Sequence, residues 1–190
     1  MNVSSTHPTR LVILDRDGVI NADSNDYIKS PAEWRPLPGS LAAIAALTNA
    51  GRTVAVATNQ SGVARGLFDI DTLNRIHSLM SAQVVAMGGR IDAVVFCPHG
   101  PDQHCACRKP RTGMLLALAR RFGVSLRGVP VVGDSLRDLE AALSVDAIPI
   151  LVRSGKGEIT AKQLPESLSG IKIVDDLKAA VDYILQQVDL

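Results

Sequence analysis

The sequence predicts a doubly wound α/β fold with a mostly parallel sheet, and three observations carry that prediction. Short runs rich in β-branched residues alternate along the chain with stretches of helical periodicity. The runs are apolar throughout, as central strands covered by helices on both faces require. Acidic, hydroxyl and amide side chains gather just past the ends of these runs, at the sheet edge where such folds bind ligands.

The first strand is LVIL at 11–14. Leu37, Leu41, Ile44 and Leu47, set around Pro38 and stopping at Gly51, predict the first helix. TVAVAT at 53–58 is the second strand, and the stripe Leu73, Ile76, Met80, Val84 and Met87 predicts a helix ending at Gly88 and Gly89. AVVFC at 93–97 is the third strand, followed by a helix over about 113–122. VPVVG at 129–133 is the fourth, with a helix over about 135–144 behind it. AIPILV at 147–152 and IKIV at 171–174 complete the sheet, and the last helix carries Leu177, Val181, Ile184 and Val188. Segments 21–36 and 97–111 read as insertions after strand C-termini, so both should border a ligand site without amounting to a large cap domain.

A chain of 190 residues fits one domain spanning 1–190. Its 46% hydrophobic and 21% charged residues, with 20 Lys+Arg against 19 Asp+Glu, describe a soluble globular protein. A net charge of +1 and 3% aromatics leave neither a basic surface nor stacking platforms for nucleic acid. The polar start MNVSSTHPTR precedes only four apolar residues, too few for a signal core or a membrane span, so a cytoplasmic location is expected. No long coiled-coil pattern is present, and the expected state is a monomer acting on a small molecule.

The first strand ends in Asp15-Arg16-Asp17-Gly18, the second in Thr58-Asn59-Gln60-Ser61-Gly62 and the fourth in Gly133-Asp134-Ser135, with Asp138 beyond; Lys109 follows the third. Together these groups supply what phosphoryl transfer to a carboxylate needs. A phosphate charge about 4 Å from Asp15 is repelled by about 4 kcal/mol per unit charge pair at an effective dielectric near 20, so countercharge is essential. Asp15, the Asp17 backbone carbonyl and Asp134 offer hard oxygen ligands for Mg2+. Lys109 adds a cation, and Thr58 and Asn59 can donate to the transferring group. Asp15 is then the nucleophile, and Asp17 the acid that protonates the leaving alkoxide and the base that activates water. Asp138 can hold a metal-bound water or complement the dipole of a first helical turn.

Cys97 and His99, followed by Cys105 and Cys107, put four soft or borderline ligands in one loop, 97–109, and fit a closed structural Zn2+ site. His104 reads as a solvated loop residue. Zinc would hold Arg108 and Lys109 beside the phosphate site.

DRDG at 15–18, TNQSG at 58–62, Lys109 and GDSLRD at 133–138 resemble the haloacid-dehalogenase-like (HAD) phosphatases, whose Rossmann-like fold and aspartyl-phosphate chemistry agree with these roles. Within them, CPH with CxCRKP, TNQSGVARG at 58–66 and RKPRTGML at 108–115 are similar to the D-glycero-D-manno-heptose 1,7-bisphosphate 7-phosphatases of lipopolysaccharide-precursor synthesis. The likeness runs from about Leu11 to Arg153. It implies removal of the C7 phosphate and a pocket for the retained anomeric one. Arg108 is the first candidate for substrate recognition, the retained phosphate being gripped by it or by a group on segment 21–36, with Asp23 and Tyr27 beside the sugar and Gln60, Ser61 and Lys109 among the substrate contacts. Arg16 and Arg65 are expected to be surface charges. The compact zinc loop also resembles that of histidinol-phosphate phosphatases, and Ser135 stands where some heptose enzymes carry lysine.

A phosphoaspartate receiver domain would share the acidic cluster, magnesium, hydroxyl and lysine. An acid two residues past the nucleophile and a metal-bearing insertion favour turnover over a switch.

Overall fold

The computed structural model describes residues 10–187; the polar stretch 1–9 and Val188 lie outside the described residues. Six strands, β1 (Leu11–Leu14), β2 (Thr53–Asn59), β3 (Ala93–Cys97), β4 (Pro130–Gly133), β5 (Ile148–Val152) and β6 (Lys172–Val174), form one sheet in the order β3-β2-β1-β4-β5-β6. Every pairing is parallel, with Leu11 beside Thr53 and Ile13 beside Val131. The winding direction reverses between β1 and β4, so a crevice opens at their C-terminal ends.

The helices are α1 (Ser40–Asn49), α2 (Ile70–Ala86), α3 (Gly113–Phe122), α4 (Leu136–Leu143), α5 (Gly157–Lys162) and α6 (Leu177–Gln186). Successive strand side chains point to opposite faces, and both faces are covered. Val12, Leu14, Val54 and Val56 pack with Ile44 of α1, Met80 of α2 and Val181 of α6. Leu11, Ile13, Ala55 and Ala57 pack with Leu115 and Leu118 of α3 and Ala141 of α4. This two-sided burial is why the strand sequences show no polar alternation.

Local signals set the helix ends. Asp69 accepts from the Thr72 N–H at 2.7 Å to open α2, and Asp176 accepts from the Ala179 N–H at 2.8 Å to open α6. Leu37 lies outside α1, contrary to the expected stripe: its N–H donates to Ile20 O at 2.9 Å, and Gly39, at φ 77°, turns the chain into the helix. Helix α5 was absent from the sequence expectation because its six residues, GEITAK, carry no apolar stripe. Segment 21–36 is a short excursion. It is pinned where Asn21 bridges to Asp17 and to Pro36, and it buries Ile28 and Trp34 against the core.

Candidate active site

β1 delivers the two aspartates. The Asp15 N–H still donates to Val132 O at 2.8 Å, and then Arg16 O accepts from the Ile20 and Asn21 N–H groups, turning the chain sharply. Gly18 completes the turn at φ 80°, and a Cβ there would overlap Asp134 Oδ2 at the end of β4. A Cβ on Gly155, past β5, would overlap the same oxygen. Two glycines therefore let three strand ends close on one carboxylate, which the Lys156 N–H holds at 2.8 Å.

The loop after β3 brings in Lys109, 4% exposed. Its Nζ lies 3.0 Å from Asp15 Oδ1 and 2.5 Å from Asp138 Oδ1, and it donates to Ala57 O at 2.7 Å. Asn59 grips the backbone of this lysine, accepting from its N–H at 3.1 Å and donating to its carbonyl at 3.2 Å. One Asn59 amide hydrogen thus helps place Lys109, which leaves the second to donate elsewhere on the cavity that Asn59 lines. Thr58 Oγ1 accepts from Gln60 Nε2 at 2.8 Å, which leaves its own O–H to donate elsewhere. Asp138 combines two tasks: it caps the first turn of α4 through Ser135 and forms the ion pair with Lys109.

Arg16 is a correction to the sequence expectation. Far from being a surface charge, it is fully buried, with Nη2 2.9 Å from both carboxylate oxygens of Asp17. Asn21 Nδ2 and Gln60 Nε2 also donate to Asp17, at 2.9 and 2.8 Å. Nothing in its local sequence sets Arg16 apart from an exposed turn residue; the covering side chains come from Gln60 and from His77 on α2.

The electrostatics follow from this crowding. Burial pushes the Asp15 carboxyl up to about 6, with Asp138 and Asp17 adding to the rise and Lys109 opposing it. Burial, helped by Asp15 and Asp138, pushes Asp134 up to about 7. Burial also works against the charge on Asp17, but Arg16, Asn21 and Gln60 outweigh it and hold the group below the ordinary carboxylate range. Burial likewise opposes the Lys109 charge, and Asp138 and Asp15 overcome it, raising its proton affinity.

Ligand oxygens of Asp15, Asp134 and Asp138 lie within 4.8 Å of one another. Two carboxylates raised by burial and by neighbouring carboxylates, offering hard oxygen donors, fit a divalent cation such as Mg2+. Asp138 is already held by Lys109 and Ser135, so Asp15 and Asp134 are the freer donors.

The cysteine loop forms a second cluster. Cys107 Sγ lies 3.2 Å from Cys97 Sγ, 3.5 Å from Cys105 Sγ and 3.3 Å from His99 Nδ1. Tetrahedral zinc with Zn–S bonds of about 2.3 Å needs ligand separations slightly larger than these, so the four side chains fit Zn2+ with small outward shifts. Burial pushes Cys97 up to about 12, reinforced by Cys107. Burial opposes the Cys105 thiolate, but the Arg108 N–H and the neighbouring thiols bring that group down to about 6. His104 is exposed.

Asp15, Asp17, Thr58 and Asp134 face a cavity of about 200 Å³. Asp23, Tyr27, Asn59, Gln60, Ser61 and Arg108 also line it. Arg65 is exposed as expected, its guanidinium 6.0 Å from the Tyr27 ring centroid. Arg137 and Lys156 line the wall without having been anticipated; Lys156 Nζ pairs with Asp23 Oδ2 at 2.8 Å across the mouth. Their only signal was position, since each follows a strand end at the binding edge.

A parallel sheet with order 3-2-1-4-5-6 that carries Asp15, Asp17, Thr58, Lys109 and Asp134 at its switch point has the make-up of a HAD-type phosphatase. Family models agree: HAD-hydrolase-like matches residues 106–180, and polynucleotide kinase 3 phosphatase matches residues 10–135. A D-glycero-beta-D-manno-heptose-1,7-bisphosphate 7-phosphatase from Bordetella bronchiseptica is 56% identical over 94% of this chain and 99% of its own. One of the same name from Pseudomonas aeruginosa is 54% identical over 93% of this chain and 98% of its own. The crystal structure of the B. bronchiseptica D,D-heptose 1,7-bisphosphate phosphatase with magnesium and phosphate superposes with a TM-score of 0.89, covering 93% of this chain and 98% of that one. The chain belongs to the D-glycero-beta-D-manno-heptose-1,7-bisphosphate 7-phosphatase family.

Proposed function

We propose that the chain hydrolyses the 7-phosphate of D-glycero-β-D-manno-heptose 1,7-bisphosphate, leaving the 1-phosphate for lipopolysaccharide-precursor synthesis. The name of its relatives supports this substrate. The observation that carries the chemistry is the pair Asp15 and Asp17, two residues apart on one cavity, with Lys109 Nζ 3.0 Å from the first.

An Asp15 carboxylate oxygen attacks phosphorus, and the bond to O7 breaks with its electron pair leaving on the sugar oxygen. Asp17 gives that oxygen a proton. Arg16, Asn21 and Gln60 hold Asp17 ionised before substrate arrives, and a phosphate anion beside it raises its proton affinity. Water then attacks the phosphorus of the aspartyl phosphate; Asp17 takes the proton, Asp15 is regenerated and phosphate departs. Lys109 Nζ and the Thr58 hydroxyl stabilise the charge on the transferring group. Mg2+, held by Asp15, the Asp17 carbonyl and Asp134, supplies countercharge when bound. Zn2+ on Cys97, His99, Cys105 and Cys107 is structural, anchoring the loop that presents Arg108 to the retained phosphate and Lys109 to Asp15.

We place the reaction in one domain spanning 1–190, since the side chains invoked converge on one crevice at the sheet edge. Three free cysteines in a metal-type cluster suit a reducing cytoplasm.

The test is phosphate release with Mg2+, comparing the β anomer, the α anomer and histidinol phosphate at equal concentrations. A kcat/KM preference for the β anomer is expected, with Asp15→Asn lowering kcat by about 10⁴-fold or more. Preference for histidinol phosphate overturns the substrate, and turnover by Asp15→Asn overturns the nucleophile.

A further inference from the structure

We propose that Arg16, braced by His77, is a positioning residue for this reaction, fixing the orientation in which the Asp17 carboxylate meets the leaving oxygen and then the water. The inference rests on the acid and base role given to Asp17 above.

Arg16 lies between two cavity-facing aspartates, yet its side chain turns away from solvent and is 0% exposed. Nε lies 3.1 Å and Nη2 2.9 Å from Asp17 Oδ1, and Nη2 also reaches Oδ2 at 2.9 Å. A planar fork held against a carboxylate fixes its rotation, which a point charge on a flexible stem does not do. Gln60 closes the ring: its Oε1 accepts from Arg16 Nη2 at 3.2 Å, and its Nε2 donates to Asp17 Oδ2 at 2.8 Å.

The outer end of the guanidinium is fixed from a different element. Arg16 Nη1 lies 3.2 Å from His77 Nε2, on α2. A guanidinium only donates, so this ring nitrogen carries the lone pair. His77 is 8% exposed, and its ring packs on Phe96 with centroids 5.9 Å apart.

A buried cation is a costly way to fill space, and an apolar side chain would serve packing better. The neutral acceptors explain how the arrangement survives the reaction. When Asp17 carries a proton it ceases to be the counterion of Arg16, but Gln60 Oε1 and His77 Nε2 still accept from the guanidinium. The carboxyl group therefore keeps its place in both protonation states that the two half-reactions require.

The experiment uses Arg16→Lys, which keeps the charge and loses the fork, with His77→Leu and His77→Gln, which remove and restore an acceptor. Two substrates separate positioning from structure. The heptose bisphosphate has an alkoxide leaving group that needs the proton, whereas p-nitrophenyl phosphate releases a stable phenolate without one. For Arg16→Lys, kcat on the bisphosphate should fall about 100-fold with KM changed less than about two-fold. The first-turnover burst of p-nitrophenolate should keep the wild-type rate and give way to slow turnover, because the water-activating step still needs Asp17. His77→Leu should behave alike at about ten-fold, with His77→Gln restoring most of the rate. Equal losses in burst and bisphosphate turnover, or no loss in either, overturn the proposal. Should Arg16→Lys not give a cooperative thermal melt, the His77 pair decides by the same criteria. Failure of the underlying reading looks different: the wild type then releases no phosphate from the bisphosphate, or Asp17→Asn retains full turnover.

Discussion

At the residue scale, glycine matters as much as the charged groups. Gly18 combines φ 80° with a position where any Cβ would overlap Asp134 Oδ2, so its side chain is excluded on two independent counts. Gly18→Ala is expected to cost about 2–3 kcal/mol of stability and to weaken Mg2+ binding, because Asp134 must move to make room. Denaturant unfolding and a Mg2+ titration of activity check this; an unchanged midpoint and metal requirement would show that the Asp134 contact does not matter. The DRDG pattern announced the glycine, but the reason for it lies in Asp134, more than a hundred positions away.

At the scale of elements, the loop between β3 and α3 is the least regular part of the site and carries its lysine. Its order comes from the Cys97, His99, Cys105 and Cys107 cluster at one end and from the Asn59 grip on Lys109 at the other. Cys107→Ser should lose zinc and loosen the loop, lowering kcat because Lys109 no longer sits against Asp15, while the far side of the sheet stays folded. Metal analysis with amide exchange over 97–112 measures it. Exchange that spreads into β5 and β6 would instead make zinc a determinant of the whole fold.

At the scale of the whole molecule, stability should depend on pH and magnesium together. Asp15 rises from 3.8 to about 6 and Asp134 from 3.8 to about 7 in the fold. Between about pH 4 and 7 these two groups lose protons in the unfolded chain that the metal-free fold retains, so the stability they contribute falls as pH rises through this window. Asp17 and Asp138 are shifted down, and the stability they contribute is lost only below about pH 4. Because His77, brought down to about 4 by burial, and Cys105, brought down to about 6, pull the other way, the readout is the Mg2+-induced rise in Tm, which should be larger at pH 8 than at pH 5.5. Equal Mg2+ shifts at both values would contradict the assignment of these carboxylates to the metal.

The chain by itself determined the alternating architecture, because apolar runs such as LVIL at 11–14 can be buried only between two helical layers. It also determined which residues gather at the site, since DRDG, TNQSG, Lys109 and the cysteine pairs all sit at or just past strand ends. The family, too, was legible in these motifs. Tertiary structure decided what each side chain does once gathered. Arg16 read as a surface charge and is buried; Asn59 also holds the lysine backbone, a task its sequence did not announce; Arg137 and Lys156 were not anticipated. The physical reason is that periodicity encodes a residue's own element and face, whereas burial and hydrogen-bond partnership depend on neighbours from distant segments, such as His77 behind Arg16, 61 positions along the chain.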